Sequence, residues 1–385
     1  MKNDDRREFL QKAGLAGMIS AIAPAAFAQS SGAFTVDPAN TAQPEIEPRH
    51  HIKFAAIGLD HAHIFSMIAA MQRGGGELVA FHATDPAQIA DFRQRYGDIR
   101  LASEDEILDD QSIALVAGAP IPDLRAPLGV RVMHAGKDYL ADKPGITTLA
   151  QLAAVRKAVK ESKRKFAIMY SERLEVRSAV HAGELVNRGA IGRIVQTVNL
   201  APHRMNIPSR PAWFFDRARY GGILTDIGSH QAEQFLFYTN STRAKVVAAQ
   251  VGNINFPQYP KFEDFGDMTM VGNGGTGYLR VDWYTPDGLA TWGDGRLFIL
   301  GTEGYIELRK YINVATDLKG GNHLYIVDRK QARYIDCNSV PLPFGPQFVA
   351  DIVNRTEVAQ NQEQALLAAE LVLAAQKNAT RPVLA

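Results

Sequence analysis

Asp226 and His230 are the side chains whose types and spacing best suit acid-base chemistry. They lie four residues apart on one predicted helix, directly behind the Gly221-Gly222 turn. Residues at this spacing share one face of a helix, so both side chains can reach a common ligand. Carboxylates and imidazoles are frequent general acids and bases. The pattern therefore predicts a functional pair, whereas a lone histidine would more often be structural.

Lys143 is the third candidate for chemistry. It stands in the run Asp142-Lys143-Pro144, at the end of a predicted strand. A strand end at a domain junction can bury a lysine in part, which is how proteins prepare this side chain for catalysis. The alternative is a turn with a solvated lysine.

The turn around Gly58 is the element that must position a cofactor. Residues 52–57 are apolar and β-rich, and an amphipathic run begins a few residues after Gly58, so the pattern predicts strand, tight turn and helix. In the G-x-G-x-x-G form of this turn, the second glycine lets the backbone approach the pyrophosphate, and the third lets the helix pack closely on the strand. Here Asp60 and His63 occupy those two positions. The turn thus favours a nucleotide-type fold but opposes ordinary nucleotide affinity.

Asp60, His61 and His63 together also invite a metal interpretation, since a carboxylate and two imidazoles are plausible ligands. His61 and His63 are only two residues apart, however, and would diverge by about 200° if both were helical. We therefore predict no metal site. His61 is expected to cap the helix or to face the cofactor and substrate pocket.

Strands and helices alternate from residue 51 to residue 170, which predicts a doubly wound parallel sheet of Rossmann type with its ligand at the carboxyl ends of the strands. Gly58, Pro120 and Asp85 lie at such ends. Asp85 follows Gly58 by 27 residues, near the position where a carboxylate binds the adenosine ribose and favours NAD over NADP. Asp85-Pro86 also suits a helix cap, and one residue can serve both purposes.

From residue 171 to residue 345 the pattern changes to strand-like segments separated by Gly, Asn, Asp and Pro turns, with a helix predicted over 226–239. Such a set predicts an α+β domain with an open, mostly antiparallel sheet. The last segment, 346–385, returns to helix and is expected to pack back on the first domain. Residues 29–50 read as a linker or surface arm.

The order of the two motifs, with Asp142-Lys143-Pro144 ending a Rossmann half and Gly221-Gly222 preceding Asp226 and His230, resembles the glucose-fructose oxidoreductase, inositol dehydrogenase and rhizopine-catabolism family (Gfo/Idh/MocA). The resemblance covers nearly everything after residue 50. It implies that Lys143 lies between the nicotinamide ribose and the substrate, that His230 takes the hydroxyl proton, and that Asp226 orients them. Near the substrate it implies His203, Trp213 and the pair Glu172-Arg173, of which Arg173 is our candidate. Arg125 and Ile121 depart from the family's usual loop.

The resemblance implies an oxidoreductase that acts on a secondary hydroxyl of a sugar, polyol or glycoside with a retained NAD. It also implies a homo-oligomer, because relatives are often dimers or tetramers. A second interpretation uses the same residues to cleave glycosides by oxidation, elimination and re-reduction. A third, from another class, is a cofactor-free sugar-binding protein or lyase in which Asp60 has abolished nucleotide binding. Nicotinamide nucleotide in the purified protein would separate the two enzyme interpretations from the cofactor-free one.

Composition and the N-terminus set the expected location. The chain has 385 residues with 42 basic and 41 acidic side chains, which suits two domains and gives no sign of a nucleic-acid surface. One cysteine, Cys337, excludes an intrachain disulfide. Arg6-Arg7 followed by an uncharged stretch to Ala28 resembles a twin-arginine signal over residues 1–28, and the small-x-small run before residue 29 resembles a cleavage site. We expect a periplasmic protein with no membrane segment after cleavage.

Overall fold

The computed structural model describes residues 45–316 and 320–381, together with the backbone of a short strand, β1, Thr35–Asp37. The signal predicted over residues 1–28 lies outside the described residues. Within the described residues, no helix is both long and apolar enough to cross a bilayer.

The first half of the chain forms a six-stranded sheet in which every strand is parallel to its neighbours, in the order β4-β3-β2-β5-β6-β7. Its strands are β2 Ile52–Ile57, β3 Gly76–His82, β4 Arg100–Leu101, β5 Ile113–Gly118, β6 Asp138–Asp142 and β7 Phe166–Met169. The order reverses between β2 and β5, and ligands of such sheets bind outside the carboxyl ends at that point. The predicted doubly wound parallel sheet is confirmed.

Helices alternate with these strands because residues close in sequence form the helix caps and the turns. They are α1 His63–Arg73, α2 Pro86–Tyr96, α3 Glu104–Asp109, α4 Pro122–His134 and α5 Leu149–Ser162. At the start of α2 the Asp85 carboxylate accepts a hydrogen bond of 2.8 Å from the Ala87 amide, as the Asp-Pro pair predicts. Ser103 and Glu106 form a capping box at the start of α3.

The second half forms a nine-stranded sheet in the order β1-β15-β14-β13-β12-β8-β11-β10-β9. The strands not yet given are β8 Ile194–Pro202, β9 Ala244–Gly252, β10 Phe265–Gly272, β11 Thr276–Asp282, β12 Arg296–Gly301, β13 Tyr305–Arg309, β14 His323–Val327 and β15 Ala332–Asp336. Only β8 with β11 and β1 with β15 run parallel. The prediction of a mostly antiparallel sheet is confirmed, although β15 was not predicted and β1 lies in the segment assigned to a linker.

Helices of the second half pack against the nine-stranded sheet, and the last two contact the first half of the chain. They are α6 Ser171–Leu174, α7 Arg177–Asn187, α8 Arg217–Tyr220, α9 Ile223–Asp226, α10 Gly228–Thr239, α11 Phe344–Asn354 and α12 Gln362–Asn378. The helix predicted over 226–239 is therefore interrupted at Ile227, where α9 meets α10. Along α11, Gly345 lies so close to α1 that an added Cβ would stand 2.1 Å from the Ala70 carbonyl oxygen. α12 packs against α10 and β9.

Candidate active site

Lys143 and Asp226 form a buried ion pair where the two halves of the chain meet. Lys143 follows β6, and its Nζ lies 2.9 Å from Oδ1 of Asp226, the last residue of α9. The two residues are 6% and 8% exposed. Burial raises the pKa of Asp226, but the Lys143 ammonium outweighs this and the pKa lies below its usual value. Asp226 is thus ionised at neutral pH, and the ion pair fixes the position of Lys143 Nζ.

His230 lies four residues after Asp226, in the first turn of α10, and is 2% exposed. Its Nδ1 atom finds no hydrogen-bond partner within the described ranges. Burial lowers the pKa of His230 to about 3, and the positive charge of Lys143 acts in the same direction, whereas Glu172 opposes it. His230 is therefore a neutral imidazole at neutral pH, with a nitrogen free to accept or donate a proton.

The three residues open into one cavity of about 440 Å³. Its walls come from both halves of the chain, and four imidazoles and all three tryptophans of the protein contribute to them. The aromatic and imidazole lining consists of His61, His63, His203, His230, Trp213, Trp283, Trp292, Phe214 and Tyr311. Concave sites with an apolar wall and a few convergent polar groups are typical of small-molecule binding.

The predicted substrate residues divide into two groups. His203 and Trp213 line this cavity, and the His203 ring packs 4.5 Å from the Trp292 ring. Burial lowers the pKa of His203 to about 4. Arg173 does not line the cavity: its guanidinium forms a buried ion pair of 2.5 Å with Glu233 and stacks over the Phe237 ring.

The assignment of Arg173 to the substrate is thus not supported, and Glu172 beside it lines the cavity instead. The two neighbours point to different surroundings because they lie on the single short helix α6, where adjacent side chains diverge by about 100°. The resemblance implied both members of the pair and we chose Arg173, but the sequence could not say which member faces inward.

His61 and His63 both bind the Asp142 carboxylate. Their Nδ1 atoms lie 2.7 Å from Oδ2 and 2.9 Å from Oδ1, respectively. The two rings do not diverge, because α1 begins at His63 and His61 precedes it, so the condition that both residues be helical is not met. His61 does not cap the helix either: the N-cap residue is Ala62, without a side-chain hydrogen bond.

Arg125 completes this cluster from α4 and is 1% exposed. Its Nη2 lies 2.9 Å from Asp142 Oδ2, its Nε donates to the Pro120 carbonyl at 2.8 Å, and Nη1 donates to the Lys143 carbonyl. Burial raises the pKa of Asp142, but Arg125 and the two imidazoles hold it well below its usual value. Burial lowers the pKa of His61 to about 4. Arg125 thereby connects the cluster to the segment that carries Lys143.

This cluster also has the composition of a two-histidine, one-carboxylate metal site, with one ligand atom from each residue within 4.8 Å of the others. The separations of 2.7 Å and 2.9 Å are those of direct hydrogen bonds to the carboxylate. Arg125 already neutralises Asp142, which removes much of its attraction for a cation. The geometry favours a hydrogen-bonded cluster, and the absence of a metal stays a prediction.

A second cavity of about 280 Å³ adjoins the turn after β2. Gly58, Asp60, Asp85 and Pro120 all line it. Gly58 has φ +77°, and a Cβ at this position would stand 2.7 Å from Pro120, so the turn requires glycine. Asp60 has one hydrogen bond, of 3.4 Å, from the Gln88 amide.

These residues fit a dinucleotide in part. A tight glycine turn at the switch point and a carboxylate at the end of the next strand are the features that hold pyrophosphate and ribose. The Asp60 carboxylate in the same cavity opposes a diphosphate. Gly58, Asp85 and Pro120 are therefore together as predicted, whereas His61 lies on the side of the larger cavity with Lys143.

Comparison with known proteins agrees with this architecture. Residues 52–170 match a family model described as an oxidoreductase family with an NAD-binding Rossmann fold, and residues 179–307 match the Gfo/Idh/MocA C-terminal domain. A protein from Erwinia carotovora atroseptica with a known crystal structure is 47% identical to this chain, and its oxidoreductase function has been assigned rather than established. The TM-score is 0.83, over 86% of this chain and 99% of that chain.

More distant relatives carry more specific names. A 1,5-anhydro-D-fructose reductase from Ensifer adhaerens is 25% identical over 189 residues, 47% of this chain and 55% of the relative, so the match spans about half of that protein. Levoglucosan dehydrogenase in complex with NADH is 18% identical (TM-score 0.70; 86% of this chain, 98% of that chain). A 3-ketoreductase from Actinomadura kijaniata with NADP and TDP-benzene is 17% identical (TM-score 0.69; 86% and 99%). Both structures share the fold.

The two domain matches follow the order of the two sheets, and together they account for most of the chain after residue 50. The chain therefore belongs to the Gfo/Idh/MocA family of oxidoreductases.

Proposed function

We propose that this protein is a periplasmic oxidoreductase that transfers hydride between the carbon bearing a secondary hydroxyl of a sugar, polyol or glycoside and a retained NAD(H). The observation that carries the proposal is the Lys143–Asp226 ion pair, which lies in one cavity with the neutral His230 imidazole. The names of the relatives support a carbohydrate substrate, since they describe reductases and dehydrogenases of sugars or sugar derivatives.

Lys143 would bind the reacting hydroxyl, and His230 would accept its proton. Nicotinamide supplies the hydride acceptor when bound. The Lys143 Nζ, held by Asp226, would hydrogen-bond the hydroxyl oxygen and stabilise the negative charge that develops on it. His230 would accept the hydroxyl proton at Nδ1, the nitrogen that has no partner in the described part of the protein.

We propose NAD rather than NADP as the cofactor because Asp85 lines the smaller cavity. A carboxylate there can accept hydrogen bonds from both ribose hydroxyls and would repel a 2′-phosphate. The relatives bind either nucleotide according to their descriptions. Retention of the cofactor is proposed because a periplasmic enzyme cannot draw on a cytoplasmic pool of nucleotide.

Glycoside cleavage by oxidation, elimination and re-reduction is the second candidate. Three imidazoles besides His230 line the same cavity, His61, His63 and His203, and oxidation alone uses only one proton acceptor. The third candidate, a cofactor-free binding protein or lyase, is favoured by Asp60 in the smaller cavity.

A homo-oligomer is proposed from the open face of the nine-stranded sheet. Phe298 and Leu300 alternate with buried residues along β12, and they are 38% and 45% exposed. Exposed apolar side chains on a sheet are an ordinary place for subunits to meet.

The deciding experiment is to purify the protein from a host that exports it, denature it, and quantify released NAD and NADP. We expect close to stoichiometric NAD. The intact protein is then given levoglucosan, 1,5-anhydro-D-glucitol, myo-inositol and methyl β-D-glucopyranoside, while the absorbance of reduced nicotinamide is followed. Release of aglycone without net reduction would favour the second candidate. Protein without nucleotide, and without affinity for added NAD, would refute the oxidoreductase proposal.

A further inference from the structure

Glu172 is a buried carboxylate of the larger cavity that the proposed hydride transfer does not use. It lies on α6, directly after the last strand of the parallel sheet, and is 4% exposed. Burial raises its pKa, but the Lys310 ammonium outweighs this, so Glu172 is ionised at neutral pH. An ionised carboxylate has only acceptor sites.

The two oxygens of Glu172 have different surroundings. Oε2 accepts 2.9 Å hydrogen bonds from both Lys310 Nζ and Gln231 Nε2. Oε1 is buried and has no hydrogen-bond partner among the described residues. An unpaired oxygen on a buried carboxylate is costly unless a ligand or water satisfies it.

The unpaired oxygen belongs to a rigid wall. Lys310 Nζ also donates to Gln234 Oε1 at 2.8 Å, and Gln234 Nε2 donates to the His230 carbonyl at 3.0 Å. Gln231, Gln234 and His230 all lie on α10. Glu172 is thus fixed relative to His230, and both residues line the cavity.

We propose that Glu172 Oε1 is a subsite for a hydrogen-bond donor of the substrate, a second hydroxyl beside the one whose proton His230 accepts. This inference rests on the proposed function for the identity of the reacting hydroxyl, but not for the existence of the subsite. A vicinal diol would use both groups: one hydroxyl would meet Lys143 and His230 while its neighbour donates to Glu172. An ammonium on an amino sugar is the other donor with this chemistry.

All three tryptophans line this cavity, so intrinsic fluorescence reports its occupancy without turnover. The probes are the four carbohydrates named above. The tightest binder is then compared with its monodeoxy analogues and with the analogue that carries an amine at the sensitive position. We expect one deoxy analogue to bind the wild type roughly 10- to 100-fold more weakly, the usual effect of losing a hydrogen bond to a charged group.

Glu172→Gln should weaken binding of the parent sugar by a similar factor and bring the parent and that deoxy analogue within about threefold of each other. The amino analogue should bind the wild type at least as well as the parent does, and Glu172→Gln should remove that binding advantage. Glu175→Gln is the matched control: Glu175 lines the same cavity, but both its oxygens bind Arg73, so discrimination should persist.

Glu172→Gln leaves Lys310 buried without a counter-charge and could therefore fail to fold. The double variant Glu172→Gln, Lys310→Met restores charge balance and should show the same loss of discrimination. Thermal unfolding is measured for each variant.

The proposal is overturned if no probe binds, if no deoxy analogue is disfavoured by the wild type, or if the double variant discriminates as the wild type does. Sugar turnover with NAD alongside unchanged discrimination in the variants would reject the subsite and leave the proposed function intact. Glu172-dependent binding by a protein that takes no nucleotide would reject the function and leave the subsite.

Discussion

At the scale of single residues, the cavity separates two kinds of ionisable group. Lys143 and Asp226 are 2.9 Å apart and stabilise each other's charge, whereas burial keeps His230 neutral. Neighbouring titratable groups of which some are kept ionised and others neutral by their environments are a frequent sign of an acid-base site. The same rule draws attention to Glu172, which Lys310 keeps ionised inside the cavity.

Replacing either catalytic candidate should reduce turnover, and thermal unfolding is needed beside it because Lys143→Ala leaves Asp226 buried without its counter-charge. We expect Lys143→Ala and His230→Ala each to lower kcat by about 10²-fold or more, because positioned acid-base groups contribute that much. The matched control is His134→Ala, since His134 is exposed at the end of α4. Steady-state kinetics and thermal unfolding are measured together. A variant that turns over the true substrate at close to the wild-type rate would show that its assigned role is wrong.

At the scale of elements, the turn between β2 and α1 serves both cavities. Gly58 and Asp60 line the smaller cavity, whereas His61 and His63 reach across to Asp142 beside the larger one. The two positions of this turn that lack glycine therefore affect both cavities. Asp60 places a repulsive carboxylate on the nucleotide side, and His63 places an imidazole beside His61 on the substrate side.

Removing the Asp60 charge should tighten nucleotide binding. We expect Asp60→Gly to strengthen NAD binding by roughly 1 kcal/mol or more, the size of a charge repulsion in a partly desolvated cleft. Asp60→Asn separates the charge from the backbone effect of glycine, and Asp91→Asn, at an exposed ion pair on α2, is the control. Isothermal titration calorimetry with NAD gives the affinities. Should Asp60→Gly bind NAD while wild type binds none, the dehydrogenase proposal would be abandoned in favour of a non-redox acid-base site.

At the scale of the whole molecule, burying neutral imidazoles makes stability depend on pH. Burial lowers the pKa of His230 to about 3 and that of His203 to about 4. An unfolded imidazole titrates near pH 6.5, so below that pH the unfolded state binds protons that the folded state does not. The free energy of unfolding is therefore unaffected by these imidazoles above about pH 6.5. It decreases as the pH falls from there towards the pKa values of the folded state.

We expect the free energy of unfolding to fall by up to about 1.4 kcal/mol per pH unit for each such imidazole between about pH 6 and pH 5. Urea unfolding at several pH values measures the slope, and His230→Gln should reduce it by one imidazole's share. The lowered pKa values of Asp142, Asp226 and Glu172 affect stability only at lower pH, below the values of the unfolded carboxyls. A slope that His230→Gln leaves unchanged would contradict the burial argument.

Location is also a property of the whole molecule. If Arg6 and Arg7 direct export of the folded protein, replacing both with lysine should leave the precursor in the cytoplasm. Cell fractionation and the N-terminus of the mature protein, expected near Gln29, provide the measurement. Normal export of the lysine variant would remove the basis for a periplasmic enzyme.

The sequence alone determined what depends on near neighbours in the chain. Alternating apolar runs, the Gly58 turn, the Asp85 cap and the spacing of Asp226 and His230 each involve a few adjacent residues, so periodicity and turn chemistry predicted both sheets and the catalytic candidates. The tertiary structure alone decided the contacts between distant segments. His61 meets Asp142 across 81 residues, and Glu172 meets Lys310 across 138. Which of Glu172 and Arg173 faces the cavity depends on how α6 packs against α10, because both side chains are ionic and only their surroundings differ.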